Sequence, residues 1–267
     1  MKARRWLLRG LMVLALAPVV VFMLLPIFSF MLLSFNPSPN GGYPMTGFTT
    51  KWYTELVNDR AILQSLRTSL LLGVVSGIFS TIFGALAAYS LRRYWRRGAG
   101  TMGTLFAAPL IIPHVIIGVG VLLLFGAIGA SKSFTLLVCG HVALTLPYVF
   151  TTMAARFARM PKEYEEAARS LGASQLRSVL HIVLPISLPA VAVSAVFAFA
   201  MSFDEVTATM FWKPANTETI QTQILAMQQF SLTPVVNALA TVLILLTLLF
   251  PLVGWLLKKR FAKGMGE

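Results

Sequence analysis

Two adjacent acids, Asp204 and Glu205, interrupt a long apolar run, and His114 follows Pro113 in another. A charge at the centre of a bilayer costs ~2.5–3.5 kcal/mol on insertion scales, so an acid in such a run has a reason to be there. One reading is a carboxylate that faces a solute pathway and attracts a cationic amine. The other is an interfacial carboxylate paired with a base or with a neighbouring subunit. Counted along a helix from Pro189, Asp204 lies ~22 Å up, about two-thirds of the way across. That makes Asp204 the deeper of the two acids. His114 reads as a pathway group or as a hydrogen-bonded packing histidine. Trp212, with Phe211, Trp52 and Tyr53, offers aromatic faces on the outer side, suited to an ammonium by cation–π contact or to an interfacial belt.

Other chemistries are excluded. His114, His141 and His181 are too dispersed for a metal site. Cys139 is the only cysteine, so there is no intrachain disulfide and no Cys-rich metal site. No Gly-x-x-x-x-Gly-Lys-Ser/Thr phosphate loop occurs, and no Gly-x-Ser-Gly set with a suitably placed histidine. The chain makes or breaks no bond by those routes. His141 reads as an interhelical hydrogen-bonder.

The elements that must position these residues follow from composition. Of 267 residues, 57% are hydrophobic and only 12% charged, about half the charge of a soluble domain. A water-soluble core cannot hide that much apolar surface, which sets aside a soluble enzyme and a disordered chain alike. Six apolar segments, 11–35, 68–91, 102–127, 134–155, 188–212 and 235–257, are each long enough to cross a ~30 Å hydrocarbon layer. They imply an all-α integral membrane protein with a single domain over residues 1–267. The first segment is too long for a signal-peptide core and reads as a retained helix.

The net charge is +13. The basic residues fall in alternate connections, which points to a membrane topology and away from nucleic acid. Lys2, Arg4, Arg5 and Arg9, then Arg92, Arg93, Arg96 and Arg97, then Arg156, Arg159, Lys162, Arg169 and Arg177, then Lys258, Lys259, Arg260 and Lys263 lie on one side. Lys51, Arg60, Arg67, Lys132 and Lys213 lie on the other. This puts both termini in the cytoplasm. The outer connection after the first span opens with the turn-rich stretch from Asn36 to Gly42. Pro109 and Pro113 are candidates for a pathway-lining bend.

The inner connection from Arg156 to Leu188 is long yet reads as folded. Pro161 suits a first helical turn. Glu163, Glu165 and Glu166 sit where a helix dipole favours acids, and Arg169 where it favours a base. Tyr164, Ala167, Ala168 and Leu171 form an i, i+3, i+4, i+7 stripe. Gly172 ends this helix and Ser174 caps a second, along which Leu176, Val179, Leu180 and Val183 repeat the spacing. Pro185 and Pro189 then mark re-entry into the membrane, and His181 belongs to the surface of the loop. Two short amphipathic helices therefore meet at a glycine turn. Their small residues suit close packing by another protein, or the hairpin lies on lipid headgroups.

Glu166-Ala167-Ala168, three residues, Gly172, nine residues, Ile182, one residue and Leu184-Pro185 together resemble the Glu-Ala-Ala loop of ABC-importer permeases. Gly47 to Tyr53, Ser202 to Glu205 and Asn237 to Thr241 are similar to the second permease of spermidine/putrescine importers. The resemblance implies a six-helix type I importer permease in a bacterial inner membrane. It implies a heterodimer with a homologous permease, two ATPase subunits that hold ATP and Mg, and a periplasmic substrate-binding protein. It maps Glu163, Glu166, Ala167, Ala168, Gly172, Ile182, Leu184 and Pro185 to the ATPase-coupling loop. The chain itself would hold no cofactor, and would form half of a pathway for a small cationic solute, a polyamine first. His114 departs from the pattern, because polyamine permeases tend to carry an acid just after that proline. An imidazole there suits another amine-bearing solute with an acidic group, such as an amino acid, an opine or an aminophosphonate. A secondary transporter fits less well, since few ionisable residues lie in the spans and a folded inner loop has no use there.

Overall fold

The computed structural model describes residues 2–39, 42–94, 99–230 and 233–264, and every regular element among them is a helix. In chain order these are α1 (Lys2–Leu33), α2 (Lys51–Asn58), α3 (Arg60–Tyr94), α4 (Ala99–Ala107), α5 (His114–Ala127), α6 (Phe134–Ala158), α7 (Glu163–Ser170), α8 (Gln175–Ser178), α9 (Leu184–Asp204), α10 (Thr209–Trp212), α11 (Ile220–Phe230) and α12 (Val235–Gly264). Asn40, Gly41, Arg96 and Arg97 lie outside the described residues. The chain divides into two compact units, Met1–Leu63 with Ile224–Leu248, and Gln64–Gln223 with Leu249–Glu267.

In the first unit, α1 holds Pro18 and Pro26 within the helix, and its apolar side chains from Met12 to Phe30 are exposed, as suits a helix in hydrocarbon. Beyond it the chain knots around Asn36, which is fully buried. Its Nδ2 donates to the Gly42 carbonyl at 2.6 Å, and its Oδ1 accepts the Ser38 and Thr46 N–H groups. The Trp52 indole N–H donates to the Asn36 carbonyl at 2.7 Å. Trp52 is therefore buried and fastens the outer knot; it does not project as a membrane anchor.

In the second unit, α3, α6 and α9 approach closely at small residues. A Cβ at Gly84 would lie 2.8 Å from Val149, and one at Gly73 2.9 Å from the Phe199 ring. Such approaches drive helix association where there is no water to expel. Hydroxyls add cross-links: Ser80 to Thr145 at 2.6 Å and Ser76 to Ser202 at 2.7 Å.

Two of the expected spans differ in form. The segment 102–127 is not one helix. A 3₁₀ turn, Ala108–Leu110, follows α4, and α5 departs at 100°. Pro113 sits at the N-cap of α5 with ψ 135; its ring disfavours helical geometry at Ile112, so the helix breaks there. The segment 188–212 is also displaced. Its helix begins at Gln175, passes through a π-helical turn, Val179–Val183, and stops at Asp204. Leu184 donates five residues back to Val179, which absorbs the missing N–H of Pro185. Pro185 lies just after the π turn, in the first turn of α9, and Pro189 lies within α9. Among the described residues four helices are long and apolar enough to span a membrane, five if the bent pair is one span, with Val235–Leu249 a shorter apolar helix.

Candidate functional site

Both sites belong to the second unit. One, called inner after the topology expected from the charges, is an elbow made by α7 and α8; the other is called outer. Glu163, Glu165 and Glu166 occupy the first turn of α7 and Arg169 the last, each complementing the helix dipole. Pro161 precedes the N-cap residue, Lys162. At the far end Gly172 has φ +84. Its N–H donates to the Arg169 carbonyl at 2.9 Å, and Ala173 donates to Ala168 at 3.0 Å. This paired closure is the Schellman motif, whose turn residue favours glycine. Ser174 then accepts the Arg177 N–H and caps α8. The second arm is thus the start of the long α8–α9 helix, not a separate short helix.

The stripe read from sequence faces outward. Tyr164, Ala167, Ala168, Leu171, Gly172 and Ile182 help to line an apolar cleft of about 540 Å³. Leu171 is 90% exposed, an unusual position for a leucine beside charged residues. Glu163 and Glu166 are exposed as well. Leu184 and Pro185 lie beyond the cleft, at the start of α9.

Sequence reasoning did not single out Glu165 as a site residue. It is buried; its Oε2 accepts the Tyr89 hydroxyl at 2.9 Å, and its Oε1 lies 3.6 Å from Arg92. The signal was available: if Tyr164 and Ala168 face outward, Glu165 points inward, toward the Arg92 and Arg93 end of α3.

The outer site gathers where α9 ends. Glu205 is buried, with one carboxylate oxygen on the Ala208 N–H at 2.7 Å and the other on His114 Nδ1. His114 stands at the first turn of α5, just after the bend. Beside it, His141 links Ser202 at 2.8 Å to Thr209 at 3.0 Å. His114, Tyr148, Met201 and Glu205 line a crevice too tight to admit a water molecule.

The two acids differ in their burial within the protein. Asp204 closes α9 and is exposed, with Oδ1 accepting from Gln221 at 3.1 Å. The helix stops there, so the chain turns Glu205 inward with extended backbone. Trp212 differs too. It is fully buried, donates its indole N–H to the Gly118 carbonyl at 2.8 Å, and leaves no ring face open to a solute. The structure therefore brings His114 and Glu205 together and sets Asp204 and Trp212 apart from them.

Comparison with known proteins places this fold. Residues 80–266 match the family described as binding-protein-dependent transport system inner membrane component. The chain is 34% identical over 248 residues to the spermidine/putrescine transport system permease protein PotC of Shigella flexneri, covering 93% of this chain and 94% of that one. It is 29% identical over 249 residues to the putrescine transport system permease protein PotI of Escherichia coli K12, covering 91% and 88%. A chain from a bacterial ABC transporter involved in the import of the acidic polysaccharide alginate superposes with a TM-score of 0.76 at 16% identity, covering 97% of this chain and 96% of that one.

The protein belongs to the binding-protein-dependent inner-membrane transport family. It is a non-catalytic permease subunit of an ABC importer, as the motif from Glu166 to Pro185 implied.

Proposed function

We propose that this chain forms half of a transmembrane pathway for polyamines. The observation that carries the substrate is its likeness, over nine-tenths of its length, to a relative described as a spermidine/putrescine permease. Asp204 at the end of α9 supports it, since its exposed carboxylate, bonded to Gln221 through one oxygen, can meet an ammonium group. α1, α3, the bent pair α4–α5, α6, the continuous α8–α9 and α12 are the six spans, with both termini in the cytoplasm. A homologous permease completes the pathway, and a periplasmic binding protein delivers the solute. Two ATPase subunits, which hold ATP and Mg, dock beneath the pair, one of them on this elbow. Ala167, Ala168, Gly172 and Ile182 form the docking floor, with Glu163 and Glu166 at its rim. Leu184 and Pro185 join the elbow to α9.

A second substrate reading rests on His114. An imidazole bound to Glu205 sets a nitrogen-bearing ring where a cationic solute would prefer an acid, which suits an amine that also carries an acidic group.

The test is uptake by the complete transporter in a strain lacking other polyamine importers. Labelled putrescine or spermidine should accumulate, and unlabelled polyamine should compete. Competition by an aminophosphonate or an amino acid, with no effect of polyamine, overturns the polyamine reading in favour of the second.

A further inference from the structure

The inner end of α3 holds both arms of the elbow through one side chain. The Tyr89 hydroxyl donates to Glu165 in α7 at 2.9 Å and accepts from the Gln175 side chain in α8 at 3.3 Å. A phenol has one proton to give and lone pairs to accept with, so the chain Gln175 to Tyr89 to Glu165 is complete. Three residues on, on the same face of the helix, Arg92 donates through Nη2 to the Met160 carbonyl at 2.7 Å. That is the entry to the elbow. Phe157 meets the Tyr89 ring edge-on, with centroids 5.8 Å apart, and fixes where the hydroxyl points.

One group in this arrangement is incomplete. Arg92 Nη1 is buried with no hydrogen-bond partner and stands 3.6 Å from Glu165 Oε1. That is beyond hydrogen-bond length, and a buried unpaired polar group calls for an explanation. A small further approach of the elbow to α3 would satisfy it.

The other end of the same stretch of α3 reaches the outer site. Ser76 bonds Ser202 of α9, and Ser202 bonds His141. Tyr89 lies thirteen positions after Ser76 on the helix, a rod ~20 Å long.

We infer that Tyr89 and Glu165 are positioning residues for transport, which clamp the elbow to α3 and make α3 the helix that carries elbow motion to the outer polar cluster. Displacing the elbow then moves the end of α3 or breaks the clamp. α6 and α9 are joined to the elbow by the chain itself; α3 is joined to it by these side chains, so its share of the motion can be removed by substitution.

This inference rests on the elbow being the ATPase dock, so the experiment separates the two. The assembled transporter, with its ATPase subunits and binding protein, is reconstituted in vesicles, and solute carried per ATP hydrolysed is measured. In Tyr89→Phe one oxygen is lost, and the solute carried per ATP should fall about tenfold, the effect of one charge-assisted hydrogen bond. Glu165→Ala should behave alike. Glu165→Gln keeps an acceptor for the hydroxyl and should hold most of the ratio. Gly172→Pro serves as the control on the dock itself.

If Gly172→Pro uncouples while Tyr89→Phe and Glu165→Ala transport normally, the clamp is refuted and the dock stands. If Gly172→Pro couples normally, the dock fails and the clamp falls with it. If neither Tyr89→Phe nor Glu165→Ala assembles, the contact serves folding only, and the inference is likewise overturned.

Discussion

Gly140 lies against the six-membered ring of Trp212 so closely that a Cβ on it would stand 2.3 Å from the ring. No real side chain fits there. Trp212 is fully buried and hydrogen-bonded to Gly118, so the ring cannot swing aside. Its position fixes α10 against α5 and α6, and α10 follows directly on the turn that aims Glu205 inward.

Gly140→Ala should therefore destabilise the protein by about 1–3 kcal/mol, the usual range for overpacking. The measurement is the apparent melting temperature of the purified transporter in detergent, followed by size-exclusion fluorescence. Gly126→Ala makes a fair comparison, since a Cβ there meets nothing within 4 Å. Equal melting of the two variants would show that the Trp212 ring yields.

The two acids at the end of α9 should part company on substitution. Glu205 holds the Ala208 N–H and His114, and Glu205→Ala orphans both. A buried donor left unsatisfied costs about 1–3 kcal/mol, so this variant should lower the yield of monodisperse protein. Asp204 is exposed and bonds only a glutamine side chain among the described contacts. Asp204→Asn should keep its yield and lose about tenfold in uptake of a cationic solute, the equivalent of ~1.4 kcal/mol. Uptake that survives Asp204→Asn removes that residue from the pathway.

The contrast between these acids shows what was legible beforehand. Hydropathy and helical spacing found the apolar helices and the elbow, because burial in lipid and the stripe from Tyr164 to Leu171 obey simple periods. The same arithmetic ran α9 on to residue 212. Hydropathy does not announce the stop, since apolar residues lie on both sides of the Asp204–Glu205 pair. What ends the helix is the Glu205 side chain, which caps the Ala208 N–H three residues on and reaches His114, 91 residues away in sequence. The bend at Pro113 was legible as a bend, from proline geometry alone. Its 100° size was not. An aromatic near a span end is usually interfacial, but Trp212 is buried because Gly140 has no side chain to keep the ring away and Gly118 takes its N–H. Glu165 was passed over because its partner, Tyr89, sits on another helix.

Gly172 offers a prediction in which space plays no part. A Cβ there meets no atom within 4 Å, yet φ is +84. Gly172→Ala should cost about 1–2 kcal/mol through the backbone alone, and Gly172→Asn less, since asparagine tolerates the left-handed region. If the elbow docks an ATPase, transport per ATP should fall in the order glycine, asparagine, alanine, proline. The check is coupled transport in vesicles at equal protein content. An order set by side-chain volume, with asparagine below alanine, would mean that the cleft is crowded by a partner and that backbone conformation is secondary.

His141 is almost wholly enclosed, and its two nitrogens meet Ser202 on α9 and Thr209 on α10. A neutral imidazole donates through one nitrogen and accepts through the other, and a hydroxyl can play either part. The match therefore holds in both tautomers. Removing the ring would not orphan either hydroxyl, because Ser202 also bonds Ser76, and Thr209 bonds the Glu205 carbonyl. The cost must come from the cavity and from the lost bridge between α9 and α10. His141→Ala should destabilise by about 2–4 kcal/mol on those grounds. His141→Gln refills part of the space and can still bond one hydroxyl, so it should recover about half of that loss. Apparent melting temperatures of the two variants decide the matter. If glutamine is no better than alanine, the ring's shape against Trp212, with centroids 6.0 Å apart, is what holds the outer cluster, and the hydrogen bonds only orient it.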